Sequence, residues 1–260
     1  MHRFPVPHAE LAWAFSDESG PAVVQLHGLT SSRARDRLLD LDLGRELSGT
    51  RLLRYDARGH GHSSGRPEPA DYRWSNLADD LLRLLDRWFP GEQVHGVGPS
   101  MGTATLLHAA VREPDRFSGF TLLLPPTALE TRRARAGDYD RLADLIETQG
   151  LERFLADCRD EVRPPAAVGD PDTVPHVPVE LLPSIYRGAA LSDLPAADEL
   201  ATIDVPTTIL AWVGDLAHPV STAQALARIM PRTRLTVASD AEEVRGWPAI
   251  LANDLAGPTH

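Results

Sequence analysis

The sequence contains no lysine. All 26 basic residues are arginine, a bias of genome composition that also excludes a catalytic or Schiff-base lysine. Cysteine is nearly absent: Cys158 stands alone, so no intramolecular disulfide can form and no thiolate cluster for structural zinc exists. No apolar run approaches the ~20 residues that span a bilayer, and the opening MHRFPVPHAE lacks the apolar stretch of a signal peptide. A cytoplasmic protein is the expectation. Excess positive charge is missing too: the net charge is −11, which repels nucleic acid and anionic membranes at long range, so neither is an expected partner. Nucleotide, flavin and metal motifs are absent, and no cofactor and no metal is expected.

What the chain does have is apolar material, 42% of its 260 residues, spread widely enough for one large core. Strand-like runs alternate with amphipathic helical ones, the pattern of an α/β fold with a mostly parallel sheet between layers of helix. Strands are expected over Ala22 to Leu26, Arg51 to Tyr55, Gln93 to Val97, Phe117 to Leu124, Pro206 to Val213 and Arg234 to Ala238. Ser75 reads as the N-cap of a helix whose Leu77, Leu81, Leu84, Leu85 and Trp88 share one face. Residues 127–201 change character, rich in Arg, Asp, Pro and helix formers, and read as a helical cap inserted into a core made of residues 1–126 and 202–260. Gly257 to His260 read as a loose tail.

The sharpest motif is Gly98-Pro99-Ser100-Met101-Gly102, a G-x-S-x-G run between an expected strand and an expected helix. A tight strand-to-helix turn there would strain the serine and project its hydroxyl at a helix N-terminus, where backbone N–H groups can stabilise an oxyanion. Two more segments follow expected strands: His27-Gly28-Leu29-Thr30, and Asp56-Ala57-Arg58-Gly59-His60-Gly61-His62-Ser63.

In order and spacing these segments resemble the α/β-hydrolase superfamily over nearly the whole chain except the cap. The resemblance implies an α/β-hydrolase fold, Ser100 as nucleophile, an oxyanion hole built from the Leu29 and Met101 N–H groups, and His27 and Gly28 lining the substrate. It also exposes a departure. The family's acid usually lies three residues after a Gly, which here is Ala217, and the family's histidine falls near Ala241 or Glu242, in a run reading Ser239-Asp240-Ala241-Glu242-Glu243. Apart from His260, no histidine follows.

A serine hydroxyl needs a base, and the base needs an acid to orient it. His218, three residues after Asp215 on a loop at the same sheet end as Ser100, is the candidate for a relocated base, with Asp215 as its acid. His27, His60, His62, His95 and His108 read as structural and His176 as surface. Asp240, Glu242 and Glu243 read as a solvated acidic loop, or as a general base if one faces the site. Arg132, Arg133 and Arg135 read as a solvated helix face, or as carboxylate-binding if they turn inward. Two functions stand open: a serine-dependent hydrolase of a carboxylic ester, lactone or thioester, and a catalytically degenerate protein of the same fold that binds a small molecule or runs a non-hydrolytic cyclisation or acyl transfer. A small-molecule substrate is the expected partner, and a homodimer is left open.

Overall fold

Strand-forming runs separated by amphipathic helices build one sheet. The structure is a computed structural model that describes residues 2–159, 163–167 and 174–256. In chain order its elements are β1 (His2–Val6), β2 (Ala9–Asp17), β3 (Ala22–Gln25), α1 (Arg33–Leu38), β4 (Arg51–Tyr55), α2 (Trp74–Trp88), β5 (Val94–Pro99), α3 (Met101–Arg112) and β6 (Phe117–Leu123). Then follow α4 (Arg132–Arg159), α5 (Leu182–Ala190), α6 (Ala197–Leu200), β7 (Thr207–Trp212), α7 (Val220–Ile229), β8 (Thr233–Ala238), α8 (Ala241–Arg245) and α9 (Trp247–Ala256). The sheet order is β1-β2-β4-β3-β5-β6-β7-β8. β1 and β2 pair antiparallel, β2 meets β4 antiparallel, and every pair from β4 to β8 is parallel. The expected tail, 257–260, lies outside the described residues.

Both faces of the sheet are covered, which is why its central strands are apolar throughout. On one face Val24, Val94, Phe120 and Ile209 pack against Leu81, Leu84 and Leu85 of α2 and Ala104 and Leu107 of α3. On the other, Val23, Leu52, Val97, Leu123 and Leu210 pack against Trp247 and Leu251 of α9. Each fully buried leucine or phenylalanine in these layers contributes about 2 kcal/mol.

Two local details differ from the sequence reading. The hairpin β1–β2 was not anticipated: its ladder runs from His2 opposite Trp13 to Val6 opposite Ala9, and Trp13 packs edge-on against Trp88 of α2. Ser75 does not cap α2, which starts one residue earlier. The Trp74 N–H is taken up instead by the Ser192 hydroxyl at 3.1 Å, so a distant side chain does the work a local cap would have done.

Between β6 and β7 the chain forms α4, α5 and α6. α4 is broken at Gly150, where φ is +82°, a conformation open to glycine and costly for other residues. α4 and α5 share a cluster of Tyr139, Ala143, Ile146, Phe154, Leu182, Tyr186 and Ala189, against which Leu29 packs from below. Leu194 and Leu200, by contrast, belong to the main core.

The Asp56–Ser63 segment is stapled to the framework by ion pairs. Asp56 accepts from Arg33 and from the His62 N–H, and Arg58 lies fork to fork on Asp80 of α2, with both contacts at 2.7 Å and both side chains buried. Without Asp80 the buried Arg58 keeps only its longer 3.5 Å contact to Asp71, so Asp80→Ala should lower the unfolding free energy by about 3 kcal/mol. Urea unfolding measures this, and an unchanged midpoint and slope would contradict it.

Candidate active site

Ser100 sits between β5 and α3 at φ +52° and ψ −112°. A non-glycine residue held there costs on the order of 1–3 kcal/mol, so its surroundings must over-determine it. They do so through the Ser100 N–H, which donates to the Leu123 carbonyl at 3.0 Å, and the Thr103 hydroxyl, which donates to the Gly98 carbonyl at 2.8 Å. Gly98 and Gly102 face one another across the turn: a Cβ on Gly98 would lie 3.1 Å from Leu26 Cβ and 3.2 Å from the Gly102 backbone, and one on Gly102 would lie 3.0 Å from Leu26 Cβ. A side chain at either glycine would therefore press on its neighbours by a few tenths of an ångström.

β7 ends at Trp212, and Gly214 turns the chain at φ +78° into a loop over the sheet's carboxyl edge. His218 Nε2 lies 2.8 Å from Ser100 Oγ, and His218 Nδ1 lies 2.8 Å from Asp215 Oδ2. The other Asp215 oxygen accepts the backbone N–H groups of Ala217 at 2.8 Å and His218 at 3.1 Å. The Trp212 indole N–H donates to Asp215 Oδ2 at 2.7 Å. Burial alone would raise the Asp215 pKa, but the His218 charge and hydrogen bond, the indole and the Ala217 N–H outweigh it and hold the carboxyl well below its usual range. As a carboxylate Asp215 only accepts, so Nδ1 carries the imidazole hydrogen and Nε2 is left to accept from the Ser100 hydroxyl.

The His27–Thr30 loop lies on the opposite side of Ser100. A Cβ on Gly28 would come 3.9 Å from Ser100 Cβ. The Gly28 carbonyl is pinned twice, by His27 Nδ1–H at 2.8 Å and by the Ser31 N–H at 3.2 Å. Because a trans peptide sets its C=O and N–H in opposite directions, the Leu29 N–H points away from those anchors. Met101 opens α3, where the first N–H groups have no helical acceptor.

Residues 21–155 match the family described as the alpha/beta hydrolase fold. The chain belongs to that family. A Bacillus subtilis (strain 168) relative, provisionally named 2-succinyl-6-hydroxy-2,4-cyclohexadiene-1-carboxylate synthase, is 33% identical over 151 residues, 55% of this chain and 53% of that protein. The chain thus spans about half of that relative's length. A protein of Pseudomonas savastanoi pv. phaseolicola, provisionally named carbamate hydrolase RutD, is 27% identical over 195 residues, 72% of this chain and 73% of that one. Among solved structures, the enol-lactonase from Burkholderia xenovorans LB400 shares the fold with a TM-score of 0.76 at 22% identity, covering 99% of this chain and 100% of that one.

The other histidine, carboxylate and arginine candidates of this α/β-hydrolase-family chain lie apart from the Ser100–His218–Asp215 line. His27, expected against the substrate as well as in a structural role, is buried with Nδ1 spent on Gly28 and Nε2 accepting the Ala57 N–H at 2.9 Å, so its ring braces the loop. Burial pushes His60 down to about 3 and His95 to about 4, and His108 bonds the Asp193 carbonyl; all three are framework groups. His176 is not a free surface group, because its N–H donates to the Thr30 carbonyl and its ring bonds Ser32. Asp240 N-caps α8 through the Glu242 and Glu243 N–H groups, Glu243 accepts from Ser239, and Glu242 pairs with Arg245. The position expected for the family histidine has become the first turn of a surface helix. Arg132 is buried rather than solvated, donating to the Ser192 and Ala189 carbonyls and stacking on Trp74, while Arg133 is exposed. His260 lies outside the described residues. Among the described residues no His, Cys, Asp and Glu group is arranged to hold a metal, and no helix is long and apolar enough to cross a membrane.

Sequence reasoning passed over Asp36, which supports the His27–Thr30 loop from beneath. Its buried carboxyl accepts the Ser31 hydroxyl at 2.5 Å. Burial pushes it up to about 7, against the Ser31 hydrogen bond, with nearby Asp42 adding to the rise. The folded state therefore keeps a proton that the unfolded chain releases above its ordinary value of 3.8. The stability this proton contributes is complete below that value and is lost as the pH rises through about 7. Asp36→Asn should gain on the wild type by on the order of 3 kcal/mol between pH 5 and pH 8. Denaturant unfolding across that range checks it, and parallel pH profiles for the two proteins would refute it.

Proposed function

We propose that this chain is a serine hydrolase acting on a carboxylic ester, lactone or thioester. The carrying observation is the continuous line from Ser100 Oγ through the His218 ring to Asp215, with both contacts at 2.8 Å. In this reading Ser100 Oγ attacks the acyl carbon while its proton passes to His218 Nε2, and the Asp215 carboxylate balances the imidazolium at Nδ1. The negative charge that forms on the carbonyl oxygen is met by the Leu29 and Met101 N–H groups. The leaving group takes the proton from Nε2, and water, deprotonated by the same nitrogen, then releases the acid from Ser100. The names of an enol-lactonase and a carbamate hydrolase among the similar proteins support acyl-group chemistry.

A fluorophosphonate probe that reacts with activated serines tests the reading. The wild type should label, Ser100→Ala should not, and His218→Ala should label on the order of 10³-fold more slowly. A folded wild-type protein that stays unlabelled would overturn the proposal in favour of non-hydrolytic chemistry or simple binding.

A further inference from the structure

We infer that Trp212 is a positioning residue: its indole N–H locks the loop carrying Asp215 and His218 onto the sheet and so sets the distance between His218 and Ser100. The inference rests on the serine-hydrolase reading above.

Acid and base here share one short loop, three residues apart. Of the four hydrogen bonds that saturate the Asp215 carboxylate, three come from inside that loop: the Ala217 N–H, the His218 N–H and the His218 ring. A loop bonded mainly to itself can swing as a unit with all three intact. Such a swing would carry His218 away from Ser100 and break their 2.8 Å contact. What resists it must come from outside the loop. The Thr127 N–H holds the Ala217 carbonyl at 3.1 Å, and the Trp212 indole holds the carboxylate itself at 2.7 Å.

Trp212 is well suited to that task. It is the last residue of β7, in register with Ala238 of β8, and its ring stacks on Trp247 of α9 at 5.9 Å between centroids and 24° between planes. Backbone pairing and ring stacking together fix where the N–H points. Among the described residues the buried indole nitrogens of Trp13, Trp74 and Trp247 meet no hydrogen-bond partner, so bonding a carboxylate is not what buried indoles in this fold do by default. The donor also drains charge from the oxygen that faces His218 Nδ1. Without it the carboxylate would pull harder on the protonated ring, and activity would need a higher pH to develop.

Trp212→Phe keeps an aromatic face for Trp247 and loses the N–H. Its second-order fluorophosphonate labelling rate should fall about 10-fold, the scale of one lost hydrogen bond to a charged group, with the acid limb of its pH profile displaced upward. In an Asp215→Asn background the same substitution should cost less than about 2-fold, because the group it acts through has been altered. Equal losses in both backgrounds would assign Trp212 to packing alone and overturn the inference, as would an unchanged rate and profile in Trp212→Phe. Should Trp212→Phe fail to fold, the indole N–H resonances of the five tryptophans supply the test. One of them should move in Asp215→Asn and stay in place in Ser100→Ala, and no movement in Asp215→Asn would overturn the inference. A folded wild type that does not label sinks the hydrolase reading and this role with it, whereas a labelling wild type with an unaffected Trp212→Phe sinks the role alone.

Discussion

The Asp215 carboxylate, with four donors on two oxygens, is the fixed point on which the candidate site depends. Ionised and saturated, it determines which imidazole nitrogen carries hydrogen, and therefore which one faces Ser100. It also folds the turn between Gly214 and Pro219 around itself, since two of its donors are backbone groups of that turn. A carboxylate even half-buried is costly when unpartnered; here the partners are supplied almost entirely by the local chain, which lets one loop bring an acid and an imidazole together.

The opposite wall of the site follows the same logic with different groups. Ser100 is held in a strained conformation by close packing around two flanking glycines and by hydrogen bonds to β5 and β6. The His27–Thr30 loop is held by a neutral buried histidine, a serine and a carboxyl that retains its proton more readily than an exposed one. Rigidity on both sides comes from hydrogen bonds between buried or half-buried polar groups, where water competes less than at the open surface.

The core of the fold was legible in the sequence from Ala22 onward because β3 through β8 are short apolar runs ended by Gly, Pro or Asp, and α2 and α3 carry clear helical stripes. The hairpin β1–β2 was not, since prolines and a mixed pattern blur its alternation. Ser100 announced itself through flanking glycines whose role is steric, and Asp215 and His218 through a spacing of three on a loop. Their 2.8 Å contacts were not readable, because they hang on the positive φ of Gly214 and on a tryptophan that reads as an ordinary strand residue. Arg132 was misplaced because the sequence reveals a polar side chain but not the backbone carbonyls waiting to satisfy it. Asp36 was silent because nothing in its local sequence marks a carboxyl as buried.

The turn after β8 is closed by its own cap and ion pair, with Asp240, Glu242 and Glu243 all exposed. With no imidazole to carry, the exposed side of this stretch answers to solubility, while Val244 anchors the turn in the core beside Trp247. It is the natural place to graft an epitope, a fluorophore or a tether, because the chain there can be lengthened without disturbing a hydrogen bond to Ser100, His218 or Asp215.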